Sequence, residues 1–266
     1  MTVATETSVP IAIVTGGARR IGRTVSLALA AAGYGVCIHY QRSQTAAREL
    51  AERIDAMGLP VATAQAELSE PGAAEHIVSV ARGLGRLDLL VNNASSFDYD
   101  SAEDWTRDGF ETQMATNLLA PLDLARHFHA AIRDQGTTGS IVNLLDQKLF
   151  NINPDFFSYT ISKFALSDST ALLAMQLAPV CRVNAVAPGL TLVSGDQSPE
   201  QFDAVHPKTP LRRGTTPDDV AQAILFLAQA PAITGAVLPV DCGQRFAPSQ
   251  RDVMFQDIKI RGPEDK

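Results

Sequence analysis

The chain has 266 residues, 45% of them apolar and 19% charged. That balance supplies a sizeable core and excludes an intrinsically disordered chain. The formal net charge is -7 and no Lys or Arg run occurs, so nucleic acid is not an expected partner. No apolar stretch reaches membrane-spanning length, and residues 1–8 read as a polar lead rather than a signal peptide. The expected compartment is cytoplasmic, and no membrane partner is expected. Cys37, Cys181 and Cys242 are too widely spaced for a metal-ligand motif, which predicts free thiols and no metal site.

Strand-length apolar runs alternate with segments of helical period. A strand over residues 9–15 leads to a helix over 21–32 that stops at Gly33. A strand over 35–40 follows, then a helix over 43–57 with Ser43 as N-cap. Next come a strand over 61–65, a helix over 70–83 and a strand over 87–92. A long polar-then-helical stretch fills 101–133. The second half reads as strand 140–145, helix 158–177, strand 181–187 closed by Pro188-Gly189, helix 217–228 and strand 236–240. Within the strands the apolar residues are consecutive, as in Ala12–Val14 and Leu89–Val91, and do not alternate. The pattern predicts one α/β domain over residues 9–245: a Rossmann-type, doubly wound, parallel seven-stranded sheet with helices on both faces. Residues 190–212 carry few helix signals and read as a substrate lid. Residues 246–266 read as a tail whose Val253-Met254-Phe255 either packs on a neighbouring subunit or is disordered.

Between the first strand and helix stands Thr15-Gly16-Gly17-Ala18-Arg19-Arg20-Ile21-Gly22. Glycines there let a pyrophosphate approach the N–H groups of a helix N-terminus, although a tight turn without a ligand has the same composition. Strand two then selects the cofactor. An NAD site ends this strand with Asp or Glu for the ribose 2′-OH, whereas this chain continues His39-Tyr40-Gln41-Arg42-Ser43. Arg42 and Ser43 stand where a 2′-phosphate sits, Arg20 reaches the same region, and NADP(H) is favoured over NAD(H). Downstream, Tyr159 and Lys163 lie four apart on one helix face. A cation beside a phenol lowers its pKa towards that of a working acid.

Together the motifs resemble the short-chain dehydrogenase/reductase superfamily over roughly residues 9–245. They are the Thr15–Gly22 loop, Asn92-Asn93-Ala94, Asn117, Tyr159/Lys163 and Pro188-Gly189. The resemblance implies Tyr159 as general acid, Lys163 on the nicotinamide ribose and Asn117 behind a proton-relay water. It implies a dinucleotide site built from Gly16, Arg20, Ile21, Gly22, His39, Tyr40, Arg42, Ser43, Glu67, Leu68, Asn92, Ala94, Ser95, Lys163, Pro188 and Gly189. It also implies a homotetramer or homodimer, with the helices in 101–133 and 158–177 at the interface.

Three positions depart from the superfamily pattern. Arg20 replaces a glycine, and Cys242 replaces one in the usual Asp-Gly-Gly. Asp146 stands thirteen residues before Tyr159, where a catalytic Ser is usual. A hydroxyl donates to a substrate carbonyl, whereas a carboxylate accepts and suits a substrate with N–H groups. With Arg20, the 39–43 segment and Ser95-Ser96-Phe97, this exchange resembles the pteridine reductases and the bacterial dihydromonapterin and alternative dihydrofolate reductases. That likeness implies a pterin held by Ser95, Phe97, Asp146, Tyr159 and Leu190, with Asp146 and Tyr159 delivering the proton. The alternatives are Asp146 as a helix cap and Phe97 as a core aromatic. The protein would then reduce another carbonyl or imine, or bind a dinucleotide without turnover.

Overall fold

The computed structural model describes residues 9–194 and 197–255. Seven parallel strands form one sheet in the order β3-β2-β1-β4-β5-β6-β7. They are β1 (Pro10–Val14), β2 (Gly35–Tyr40), β3 (Val61–Gln65), β4 (Arg86–Asn92), β5 (Gly139–Leu144), β6 (Cys181–Pro188) and β7 (Val237–Val240). The helices are α1 (Arg20–Ala31), α2 (Gln44–Asp55), α3 (Ala73–Arg82), α4 (Arg107–Met114), α5 (Ala120–Asp134), α6 (Phe157–Leu177), α7 (Pro199–Val205) and α8 (Pro217–Gln229). None of the described helices is long and apolar enough to cross a membrane.

The consecutive apolar positions of β1 serve two faces at once. Ala12 and Val14 join a core made with α1, α2 and α8, through Leu29, Leu50 and Ile224. Ile11 and Ile13 join a second core made with α3 and α5, through Ile77, Leu124 and Phe128. A sheet covered on both faces removes the alternation that a one-sided sheet needs. The strand order reverses between β1 and β4, and that opens a crevice at the carboxyl ends of those strands.

Four local features differ from the sequence expectation. The residues expected to form the lid contain α7, which starts with a capping box: Ser198 Oγ accepts from Gln201 N–H, and the Gln201 side chain accepts from Ser198 N–H. Asp196, in the same stretch, lies outside the described residues, as does the lead. Ser43 precedes α2 without a side-chain capping bond. Between α4 and α5 the long helix widens into a π-turn over Ala115–Leu119, which contains Asn117. Finally, residues 246–255 fold back onto their own chain, as described below.

At the start of α8, Thr216 Oγ1 accepts from Asp219 N–H while the Asp219 carboxylate accepts from Thr216 N–H. Arg213 grips the same carboxylate with both Nη atoms and is the first cause holding it well below the usual carboxylate range. Thr216→Ala is expected to cost about 1 kcal/mol, read from urea unfolding. An unchanged midpoint would show that the Arg213 contact alone suffices.

Candidate active site

The two glycine departures share one cause. Arg20 has φ 51° and Cys242 has φ 52°, the left-handed region that glycine enters freely and L-residues enter at a cost. The turns keep a glycine conformation while carrying a side chain. At Gly22 no side chain fits: a Cβ would stand 2.2 Å from the Gly16 carbonyl oxygen and 2.6 Å from Asn93 Nδ2. Asn93 stitches the loop to the end of β4, its Nδ2 donating to Thr15 O at 2.7 Å. Thr15 Oγ1 accepts from the N–H groups of Asn93 and Ala94.

These turns border a cavity of about 840 Å³ over the crevice. At one end lie Gly16, Arg19, Arg20, Ile21 and Gly22, with His39, Arg42, Glu67, Leu68, Ala94 and Ser95. α1 has no side-chain cap and no acidic residue in its first turn, so its free N–H groups and three arginines suit a polyanion. This end fits the phosphates of a dinucleotide. At the other end Lys163, Pro188, Gly189 and Leu190 meet Phe97, Asp146 and Tyr159.

Several expected site residues are placed differently. Tyr40, the last residue of β2, is buried in the core, and Ser43 is not on the cavity wall. The Asn92 side chain is buried and donates to Asn143 Oδ1 at 2.8 Å, inside the sheet. His39 reaches the wall, yet both its ring nitrogens are engaged. Nδ1 accepts from Gly16 N–H at 3.0 Å, which leaves Nε2–H to donate to Ala66 O at 3.2 Å. Burial pushes its pKa down, in keeping with this neutral ring, so His39 braces the glycine loop. Arg20 donates to Val193 O at 2.8 Å, which ties the glycine loop to the 190–212 segment. His206 is half-buried: it stacks on Phe202 and its Nε2 lies 2.9 Å from Thr215 O.

Asn117 is fully buried and also misses the cavity. Its Oδ1 accepts from Ser95 Oγ at 3.0 Å and Ser96 N–H at 2.8 Å, and its Nδ2 donates to Ser162 Oγ at 3.0 Å. The side chain clamps the 95–96 loop against α6. Phe97, just beyond, has one face on Phe156 at 4.1 Å and meets Tyr159 edge-on at 4.7 Å.

Asp146 is both a cap and a partner of Tyr159. One carboxylate oxygen accepts from Lys148 N–H at 2.8 Å, and the other accepts from the Tyr159 hydroxyl at 2.9 Å. Burial raises the Asp146 pKa. Burial and then the adjacent Asp146 raise the Tyr159 phenol well above its ordinary value. The Lys163 ammonium donates to Leu144 O at 2.9 Å, and burial lowers its pKa to about 8. The direction is opposite to that expected for a phenol made acidic by its lysine. Desolvation and the neighbouring carboxylates push the phenol up, so it keeps its proton at neutral pH.

Residues that the motifs did not point to complete the wall. Gln41 donates to Glu67, Gln147 lies next to Asp146, and Asp252, Val253 and Met254 arrive from the tail. Cys37 and Cys181 are buried with thiols pushed up to about 12, so they stay protonated. Among the described residues no group of His, Cys, Asp and Glu could hold a metal ion.

Residues 16–245 match a family model described as enoyl-(acyl carrier protein) reductase. Pteridine reductase 1 of Leishmania tarentolae is 33% identical over 285 residues, covering 90% of this chain and 97% of the relative. A granaticin polyketide synthase putative ketoacyl reductase of Streptomyces violaceoruber is 34% identical, covering 88% and 95%. The crystal structure of FolM alternative dihydrofolate reductase 1 from Brucella canis complexed with NADP superposes with a TM-score of 0.86 at 37% identity, covering 92% of this chain and 97% of that one. The match across the whole reductase domain, and the likeness to both pterin enzymes, make this chain an oxidoreductase of the short-chain dehydrogenase/reductase family, on its pteridine reductase branch.

Proposed function

We propose that the protein is an NADPH-dependent reductase of a dihydropterin-type substrate. The observation that carries this reading is the hydrogen bond from Tyr159 to Asp146, 2.9 Å long, at a position where a ketone reductase needs a donor to the substrate. When bound, the cofactor supplies a hydride to a ring carbon. Tyr159, kept protonated by burial, would give a proton to the adjacent ring nitrogen, and Asp146, its own pKa raised, would take up a solvent proton and pass it to the phenolate. Lys163 would hold the nicotinamide ribose. Phe97, backed by Phe156, offers a flat apolar wall for a heterocycle. Ser95 is held at the junction of the two ends by Asn117.

NADPH oxidation with dihydrobiopterin, dihydromonapterin, dihydrofolate and simple ketones tests the reading. Turnover of the pterins is expected, and activity on ketones alone would sink it. The ketoacyl reductase relative favours reduction of another carbonyl as the second reading. A dinucleotide-binding protein without turnover is the third reading, which the retained Tyr159–Lys163 pair opposes.

Arg42 lies on the cavity wall after β2. Arg42→Ala is expected to raise the KM for NADPH by about 10-fold to 100-fold, the worth of a charge-assisted bond to phosphate. The KM for NADH should stay put, and an unchanged NADPH/NADH preference would remove Arg42 from the 2′-phosphate.

Leu119, Leu172 and Met175 are exposed at 57%, 63% and 78% on the long helices, which supports a homotetramer or homodimer. Light scattering tests this, and a monomer at micromolar concentration would exclude it.

A further inference from the structure

The tail returns to the site from the far end of the chain. Arg251 grips Asp155 through Nε, at 3.0 and 2.9 Å, and the Asp252 N–H donates to the same carboxylate at 2.7 Å. The Lys148 ammonium, only 3% exposed, pairs with Asp252 Oδ2 at 3.3 Å. Phe255 then lies on Phe156, with ring centroids 6.0 Å apart. These contacts strap the tail across the loop between β5 and α6, and they bring Asp252, Val253 and Met254 onto the cavity wall. Lys148 lies behind that wall, so the cavity meets the carboxylate and not the ammonium. Asp252 is close enough to Asp146 and Tyr159 to raise both of their pKa values through its charge. On the same cavity lining, next to Asp146 in the chain, Gln147 Oε1 is buried with no hydrogen-bond partner among the described residues, an acceptor whose desolvation nothing yet offsets.

We propose that this strap is the specificity wall of the substrate site, with Asp252 and Gln147 as acceptors for the substituent next to the reduced bond. The inference rests on the pterin reading and deepens it. Two acceptors, with the Lys148 ammonium buried behind them, fit a side chain that carries hydroxyl or N–H donors. They oppose one that carries carboxylates, because like charges placed together in a partly desolvated site repel. Asp252 is thus a substrate-binding residue, while Arg251, Asp155 and Lys148 position it.

The test is calorimetric titration of the NADP-loaded protein with biopterin, whose side chain is hydroxylated, and with folate, whose side chain carries carboxylates. Two variants separate charge from folding. Asp252→Asn keeps an oxygen for the buried Lys148, and Met254→Lys adds a cation without touching that contact. Wild type is expected to prefer biopterin. Each variant is expected to shift the affinity ratio towards folate by about tenfold, with NADP affinity unchanged. A ratio unmoved in both variants, with wild type still binding pterins, overturns the strap proposal and leaves the pterin reading standing. Failure of wild type to bind either pterin overturns both.

Discussion

Tyr159→Phe is expected to lower kcat for dihydropterin reduction by about 10²-fold to 10⁴-fold, the loss that follows removal of a positioned general acid. The change deletes one oxygen from a buried ring that keeps its contact with Phe97, so cofactor affinity and the folded state should survive. That separates the effect from a packing defect. Undiminished turnover would remove Tyr159 from the chemistry. The pH profile adds a second check. Because the folded-state pKa of Lys163 is depressed to about 8, its charge is lost as pH rises through that value. An alkaline limb in kcat/KM at or above about pH 8 is expected. Stability moves the other way. Between the depressed pKa and the ordinary value of 10.5 the unfolded chain binds the extra proton, so stability rises with pH across that window.

Asp146→Asn is expected to act on activity and stability in opposite directions. Asparagine cannot reload the phenol, and turnover should fall by about 10²-fold or more. The wild-type carboxyl has a folded pKa raised by burial above the ordinary 3.8. Its favourable contribution is complete below the unfolded pKa and is lost as pH rises through the folded one. The amide escapes that loss while its oxygen still accepts from Lys148 N–H. At neutral pH the variant should therefore be more stable by about 0.5–2 kcal/mol, with the gain vanishing near pH 4. Denaturant melts at the two pH values measure it. A variant less stable than wild type at pH 7 would mean that the carboxylate earns its place by hydrogen bonding alone.

The sheet was legible because burial on both faces writes itself into consecutive apolar residues, as at Ile11–Val14. The glycine loop and the Tyr159–Lys163 pair were legible for a similar reason: each is local in the chain. What could not be read was set by distance or by desolvation. The reach of Arg20 to Val193 spans 173 residues, and no local pattern encodes it. The raised phenol of Tyr159 follows from burial, which spacing on a helix does not report. The π-turn at Asn117 leaves the helical period almost intact, so the side chain's true partners, Ser95 and Ser96, stayed hidden. α7 is only seven residues long, too short for periodicity to show, although its Ser198-x-x-Gln201 capping box was there to find. The strap lies in a polar tail, where ion pairs rather than an apolar stripe fix the chain.

That strap also bears on how the molecule comes into being. A sheet of parallel strands must close a long crossover for every pairing, which makes assembly slow and order-dependent. During synthesis β1, β2 and β3 can join as soon as they emerge, yet Asp155 must wait 96 residues for Arg251. Until then the carboxylate is unpaired and the pocket lacks a side. The glycine-loop wall, from Gly16 to Ser95, thus lies entirely in the first part of the chain, while the last wall of the substrate end comes from its final described residues.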